Sequence, residues 1–255
     1  MGIETITSTS NQLVKFARTL HDKQTRRETG LCLLEGETLI REAYEAGVQI
    51  KQIFTSKPEA FEELMPTEIY QASSKLLEYM ATTSSAPQAI AIAKPQPIDA
   101  PTEINFAIYL EGIQDPGNLG SIIRTAAAAG VDKIYLSENS IEIYNPKVIR
   151  ASAATVFRTT IETTSLSKIK SKFTRLLATS SVKSGARDYN ILTVKQPDKV
   201  LLMMGSEGNG LSVASIEAAT DLIEIPMAAG IESLNVLAAT SILLFKIKDL
   251  MKVSV

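Results

Sequence analysis

Hydrophobic and polar positions along the chain switch between a period of two and a period of about 3.6 residues, which marks strands alternating with helices. Residues 11–21 read as a short helix. Gly30 ends the basic stretch that follows, and Leu31-Cys32-Leu33-Leu34 is an apolar run suited to a buried strand. Over 36–46 the residues Leu39, Ile40 and Ala43 share one helical face, with Gly47 as the stop. Strands are predicted over 49–55, 68–71 and 88–94, and helices over 58–64 and 73–80. This is the pattern of a small α/β domain.

Residues 95–103, PQPIDAPTE, interrupt the pattern with three prolines among polar neighbours. They predict a domain over 1–95, a linker over 96–104 and a second domain over 105–255. In that second domain, strands are predicted over 106–111, 133–137, 157–162, 175–179, 199–204 and 221–226. The helices between and after them cover 118–129, 146–153, 166–174, about 188–192, 212–219 and about 234–251. Such alternation implies a mostly parallel sheet covered by helices on both faces. Ligands of such sheets bind at the carboxyl ends of the strands.

Composition narrows the chemistry. With 45% hydrophobic and 21% charged residues in 255, the chain can bury a sizeable core without disulfides. No apolar run approaches the roughly 18 residues of a membrane span. The polar start, Met1 to Asn11, lacks an apolar signal-peptide core, so a cytoplasmic protein is expected. One cysteine, Cys32, and one histidine, His21, cannot make a structural zinc site, and no metal is expected. A Ser-His-Asp or Cys-His site would have to use His21, which stands among Lys and Arg. The net charge of −2 makes nucleic-acid binding a question of local charge. Residues 11–30 hold Lys15, Arg18, Lys23, Arg26 and Arg27 against Asp22 and Glu28, a local excess of three positive charges. A solvated helix face would account for the same pattern.

Three polar segments follow predicted strands of the second domain. In 111–124, Asn118 is placed to cap a helix on which Leu119, Ile122, Ile123, Ala126 and Ala127 share one face and Arg124 lies opposite. Arg124 is therefore open to a ligand, a partner or water. The segment is neither a P-loop nor a Gly-x-Gly-x-x-Gly turn, which counts against a nucleotide-binding Rossmann enzyme. The second segment, Met203 to Ser212, carries three glycines that let backbone approach a ligand, with Ser212 as a helix cap. A tight strand-to-helix connection would need the same residues. In the third, Ile225 to Val236, Ser233 is suited to cap the last helix, and Asn235 is not needed for capping.

Taken in order, these segments resemble the three motifs of the SpoU-type RNA 2′-O-ribose methyltransferases of the SPOUT superfamily. The residues are Asn118 with Arg124, Gly-Ser-Glu-Gly-Asn-Gly at 205–210, and Ile225-Pro226-Met227 with Ser233-Leu234-Asn235-Val236. Residues 11–95 are similar to the substrate-binding domain of many members, which has the fold of ribosomal protein L30e. Asn11, Lys15, Leu20, Arg26, Leu34-Glu35-Gly36 and Pro87-Gln88 carry that likeness. Family members often have Gly where this chain has Ala89 and Ala154.

The resemblance implies a trefoil-knotted α/β domain, a homodimer formed through it, and S-adenosylmethionine as cofactor. Thr179, Ser180, Met204, Gly205, Ile225, Met227 and Leu234 would surround the cofactor. Arg124 would be catalytic, either as a perturbed base or as a clamp on phosphate and the developing alkoxide. The second role is favoured because a guanidinium stays protonated. Asn118, Glu207, Ser233 and Asn235 would orient Arg124, the ribose or the cofactor, with a structural anchor as the other reading of Glu207. Lys15, Arg18, Arg26 and Arg27 would touch RNA phosphates. The expected activity is 2′-O-methylation of structured RNA, 23S ribosomal RNA first and transfer RNA second. The contrasting class is a non-catalytic RNA-binding protein with a degenerate knot.

Overall fold

The computed structural model of the chain describes residues 3–64, 68–179, 185–195, 197–231 and 233–251. In chain order the elements begin with β1 (Glu4–Ile6), α1 (Gln12–Thr19), α2 (Lys23–Thr29), β2 (Cys32–Glu35), α3 (Glu37–Glu45) and β3 (Gln49–Thr55). β4 (Glu68–Ala72), α4 (Ser74–Met80), β5 (Ala89–Lys94), β6 (Phe106–Glu111), α5 (Pro116–Ala129) and β7 (Lys133–Leu136) follow. Next come α6 (Pro146–Ala151), β8 (Ile161–Thr163), α7 (Leu166–Ile169), β9 (Arg175–Thr179) and β10 (Arg187–Asp188). The last are β11 (Val200–Gly205), α8 (Val213–Ala218), β12 (Asp221–Glu224) and α9 (Val236–Met251). Packing groups them into two compact units: Met1–Ile98 with Glu142–Arg158, and Asp99–Ile141 with Thr159–Val255.

The first unit holds a five-stranded sheet in the order β1-β4-β3-β5-β2. β1 and β3 run parallel to β4, whereas β5 is antiparallel to β2 and β3. Helices α1 and α4 start on side-chain caps: Asn11 accepts from the Leu13 amide at 2.8 Å and Ser73 from Leu76 at 3.3 Å. Their apolar faces bury Val14, Ala17, Leu77 and Met80 against Leu33, Phe54 and Ile90 of the sheet. Residues 58–64, expected as a helix, form a 3-10 helix. α2 has no apolar residue to give a period. It forms because Asp22 caps the Thr25 amide at 3.0 Å and Gly30 closes it in the left-handed region at φ 66°.

Arg26 on α2 corrects one expectation. It is 4% exposed, so it does not face RNA. Its guanidinium pairs with Glu142 at 2.7 Å and donates to the Leu20 and His21 carbonyls, each at 2.8 Å. The segment 142–158 is bound within this unit by further ion pairs, Arg150 with Glu35 at 3.3 Å and Arg158 with Glu42 at 2.9 Å. The helix predicted over 146–153 stops at Ala151, and Ala153 and Ala154 turn into the left-handed region at φ 47° and 63°. The strand predicted from 157 begins at Ile161, after a 3-10 turn over Thr155–Phe157.

The second unit is a seven-stranded sheet in the order β10-β12-β9-β11-β6-β7-β8, with every pair parallel. β11 lies between β9 and β6, so Val200 to Met204 are all buried, which explains the continuous apolar run. β11 and β12 occupy positions between strands formed earlier in the chain. Helix α5 packs on α9, burying Leu119, Ile122, Ile123 and Ala126 as predicted, while Ala127 is exposed. Among the described residues no helix is long and apolar enough to cross a membrane.

Candidate functional site

Because all seven strands run the same way, the segments after β6, β11 and β12 leave the sheet at one edge. α5 begins two residues earlier than the pattern suggested. Its cap is Asp115, which accepts from the Asn118 amide at 2.7 Å, and Pro116 takes the first helical position. Asn118 is therefore not the cap, and its side chain is released for other contacts.

Those contacts bring the three motifs together. Asn118 Nδ2 donates to Glu207 Oε1 at 2.7 Å, and Asn235 Nδ2 donates to the same oxygen at 2.7 Å. Asn235 Nδ2 also lies 3.4 Å from Asn118 Oδ1. Asn235 rather than Ser233 starts the last helix: its Oδ1 accepts from the Leu237 amide at 2.8 Å. One side chain thus caps α9 and binds Glu207. Glu207 Oε2 has no hydrogen-bond partner among the described residues, which leaves an acceptor open at the site.

The loop that carries Glu207 is closed on itself. The Gly210 amide donates to the Ser206 carbonyl at 2.8 Å, and a Cβ on Gly205 would stand 2.0 Å from the Gly210 carbonyl carbon. No side chain fits at 205 without moving that backbone. Ser212 caps α8, as predicted, by accepting from the Ser215 amide at 3.3 Å, and its own amide donates to Glu111 at 3.2 Å.

The residues expected around a cofactor gather at the ends of adjacent strands. Ala178 pairs with Met203, and Thr179 pairs with Ile223, so Thr179, Met204 and the start of the segment after Glu224 lie at neighbouring levels. Met204 is buried, Ile225 and Leu234 are half-buried, and Met227 is exposed. Ser180 lies outside the described residues. Among the described residues no group of three His, Cys, Asp or Glu side chains is placed to hold a metal ion.

Arg124 is exposed and has no hydrogen bond or ion pair among the described residues. No hydrogen bond or ion pair joins it to the Asn118–Glu207–Asn235 cluster. Ser233 is also exposed and without a partner among the described residues. In the first unit Lys15, Arg18 and Arg27 are exposed, and Arg18 lies over the Tyr79 ring at 4.1 Å. Cys32 is a core residue there: burial, and then the Glu142 carboxylate, push its thiol well above the usual range.

Sequence reasoning missed Asp115, although Asp-Pro-Gly is a helix-start signal. It also missed Gln114 and Asn139, which line a cavity of about 440 Å³ together with Asn118, Glu207 and Asn209. Nothing in periodicity singles out these two loop residues.

The family model of the SpoU rRNA methylases matches residues 105–245, and that of the MRM3-like substrate binding domain matches residues 11–91. A Synechocystis protein named an uncharacterised tRNA/rRNA methyltransferase is 34% identical, over 96% of this chain and 93% of its own length. The Bacillus subtilis 23S rRNA (guanosine(2553)-2'-O)-methyltransferase RlmP is 30% identical, over 95% of this chain and 98% of its own. The crystal structure of an AdoMet-bound rRNA methyltransferase from Sinorhizobium meliloti matches with a TM-score of 0.86 at 28% identity, covering 99% of each chain. With its three motifs meeting at one edge of a parallel sheet and matches that span nearly its whole length, the chain belongs to the SpoU rRNA methylase family.

Proposed function

We propose that this protein transfers the methyl group of S-adenosylmethionine to a ribose 2′-hydroxyl of ribosomal RNA. The observation that carries the reading is the cluster of Asn118, Glu207 and Asn235, one residue from each motif, joined by hydrogen bonds at the carboxyl edge of the sheet. The rRNA methyltransferase names of full-length relatives support it.

The strand ends fit the cofactor. An adenosine with a thioether chain needs apolar surface and main-chain hydrogen-bonding groups. Met204, Met227, Ile231 and Leu234 offer the first, and the irregular backbone from Ile225 to Ile231 offers the second. When bound, S-adenosylmethionine supplies a methyl group already activated by its sulfonium. The protein then has to align the ribose oxygen and accommodate its charge. Alignment alone is worth about 7–11 kcal/mol when the geometry is good.

The two asparagines hold Glu207 by Oε1, which aims Oε2 outward to accept from the ribose hydroxyl or to orient Arg124. A guanidinium offers hydrogen-bond donors and no acceptor, so Arg124 serves as a donor to phosphate and to the developing alkoxide. Lys15, Arg18 and Arg27 contact phosphates of the substrate, which position it without reading sequence. Ile242 and Phe245 of α9, 37% and 43% exposed, form an apolar face for a second copy of the chain. The insertion of β11 and β12 between earlier strands suits a knotted path.

The test is methyl-labelled S-adenosylmethionine with an unmodified 23S rRNA transcript and, separately, bulk unmodified tRNA. A 2′-O-methyl group blocks alkaline cleavage of the next linkage. Label in alkali-resistant dinucleotides from the rRNA is expected. Label in tRNA alone would move the substrate to tRNA, and label on bases or none at all would overturn the reading.

A further inference from the structure

We infer that the cavity beside Asn118 and Glu207 holds the base of the methylated nucleotide, and that Gln114 and Asn139 read its hydrogen-bonding edge. The inference rests on the 2′-O-methylation reading. The base is attached at C1′, the carbon next to the one that bears the reacting hydroxyl. A ribose presented to Glu207 therefore brings its base within a bond or two of the same wall. The cavity shares Asn118 and Glu207 with the site, and its 440 Å³ falls within the roughly 300–1,000 Å³ usual for small-ligand pockets.

Facing that wall, Gln114 and Asn139 come from the loops after β6 and β7, which the parallel pairing of Leu110 with Leu136 brings side by side. Both carboxamides are oriented by their own contacts. Gln114 Nε2 donates to the Asn139 main-chain carbonyl. Asn139 Oδ1 accepts from Ser137 Oγ at 2.6 Å. Ser137 is itself fixed, since it is buried, accepts from the Gly112 amide at 2.8 Å and bonds Ser140 Oγ at 3.0 Å. These contacts consume one end of each carboxamide. Gln114 Oε1 and Asn139 Nδ2 have no partner among the described residues. The result is a held acceptor beside a held donor at the rim of a cavity.

Splayed RNA bases are recognised by donors and acceptors aimed at their edges, and an enzyme reaching one takes it out of the stack. The order of donor and acceptor differs among the four bases, so a fixed pair prefers some over others. A well-placed pair discriminates by about tenfold or more.

The experiment uses the full-length protein and a 23S rRNA transcript made in four versions, with A, C, G or U at the nucleotide that the wild type methylates. kcat/KM is measured for each, alongside the thermal transition and the Kd for S-adenosylmethionine. Asn139→Asp keeps an oxygen for Ser137 and replaces the free donor by an acceptor. We expect the wild type to favour one base by about tenfold or more, and Asn139→Asp to lose that preference with its cofactor affinity retained. Gln114→Leu, at a surface position, removes the free acceptor and is expected to flatten the same ratio should Asn139→Asp not fold. A uniform loss of rate across the four transcripts, with their ratio unchanged, would overturn the inference, as would a wild type indifferent to the base. A wild type that methylates no RNA overturns the methyl-transfer reading and this inference with it.

Discussion

Arg26 and Arg124 stand in regions that use the same side chain in opposite ways. In the first unit, Arg26 is nearly buried, pairs with Glu142 and donates to two carbonyls. In the second, Arg124 projects from α5 without a partner among the described residues. The first unit also pairs Arg150 with Glu35 and Arg158 with Glu42, so three of its six guanidinium groups go into holding segment 142–158. At the carboxyl edge of the second unit the polar contacts are mostly neutral amides around one carboxylate. A buried cation left unpaired is costly, so burial commits an arginine to structure. Only the exposed one retains donors for a substrate.

Substitution separates the structural arginine from the functional one. The largest expected effect is that of Arg26→Ala, which leaves Glu142 without its buried partner. Unfolding in urea should show a loss of about 3–5 kcal/mol. A loss below about 1 kcal/mol would place Arg26 with exposed pairs. Arg124→Ala should do the reverse, lowering methyl transfer by about 10²–10³-fold with the unfolding midpoint and the cofactor Kd unchanged. Transfer near the wild-type rate would remove Arg124 from the chemistry.

Asn235 joins the two kinds of role, since it caps α9 and binds Glu207. Asn235→Ala should cost about 1 kcal/mol of stability as well as activity. Asn235→Asp retains a cap but sets a second carboxylate against Glu207, so activity should fall while the thermal transition holds. A parallel loss of both in the Asp variant would mean that the cluster serves folding alone. The smallest effect is expected in the first unit. Ala154 adopts φ 63°, where an L-residue is strained by about 1–2 kcal/mol and glycine is not. Glycine costs roughly 0.5–1 kcal/mol more in chain entropy, so Ala154→Gly should raise stability by a fraction of a kcal/mol up to about 1 kcal/mol. A lower unfolding midpoint would count against this account of the turn.

The α/β alternation was legible because the strands of the second unit are buried on both faces and read as apolar runs such as Val200 to Met204. β1, three residues long, and α2, without an apolar position, left no periodic signal. Asn118 and Asn235 could be picked out as polar residues at helix starts, but their tasks were misread. Asp115 took the cap expected of Asn118, and Asn235 took the one expected of Ser233. Arg26 shared the basic stretch of Lys15, Arg18 and Arg27, and its burial depends on Glu142, more than a hundred residues away in sequence.

What the sequence determined by itself was local: element types, most helix starts, and three polar segments at strand ends whose residues mark a methyltransferase family. Periodicity and capping act within a few residues, so they are written in the chain. The tertiary structure alone decided the strand order, the meeting of Asn118, Asn235 and Glu207, and the pairing of Gln114 with Asn139 at the rim of a cavity. Hydrogen bonds and burial depend on distance in space. Parallel strands bring their ends together only after crossovers that separate them widely along the chain.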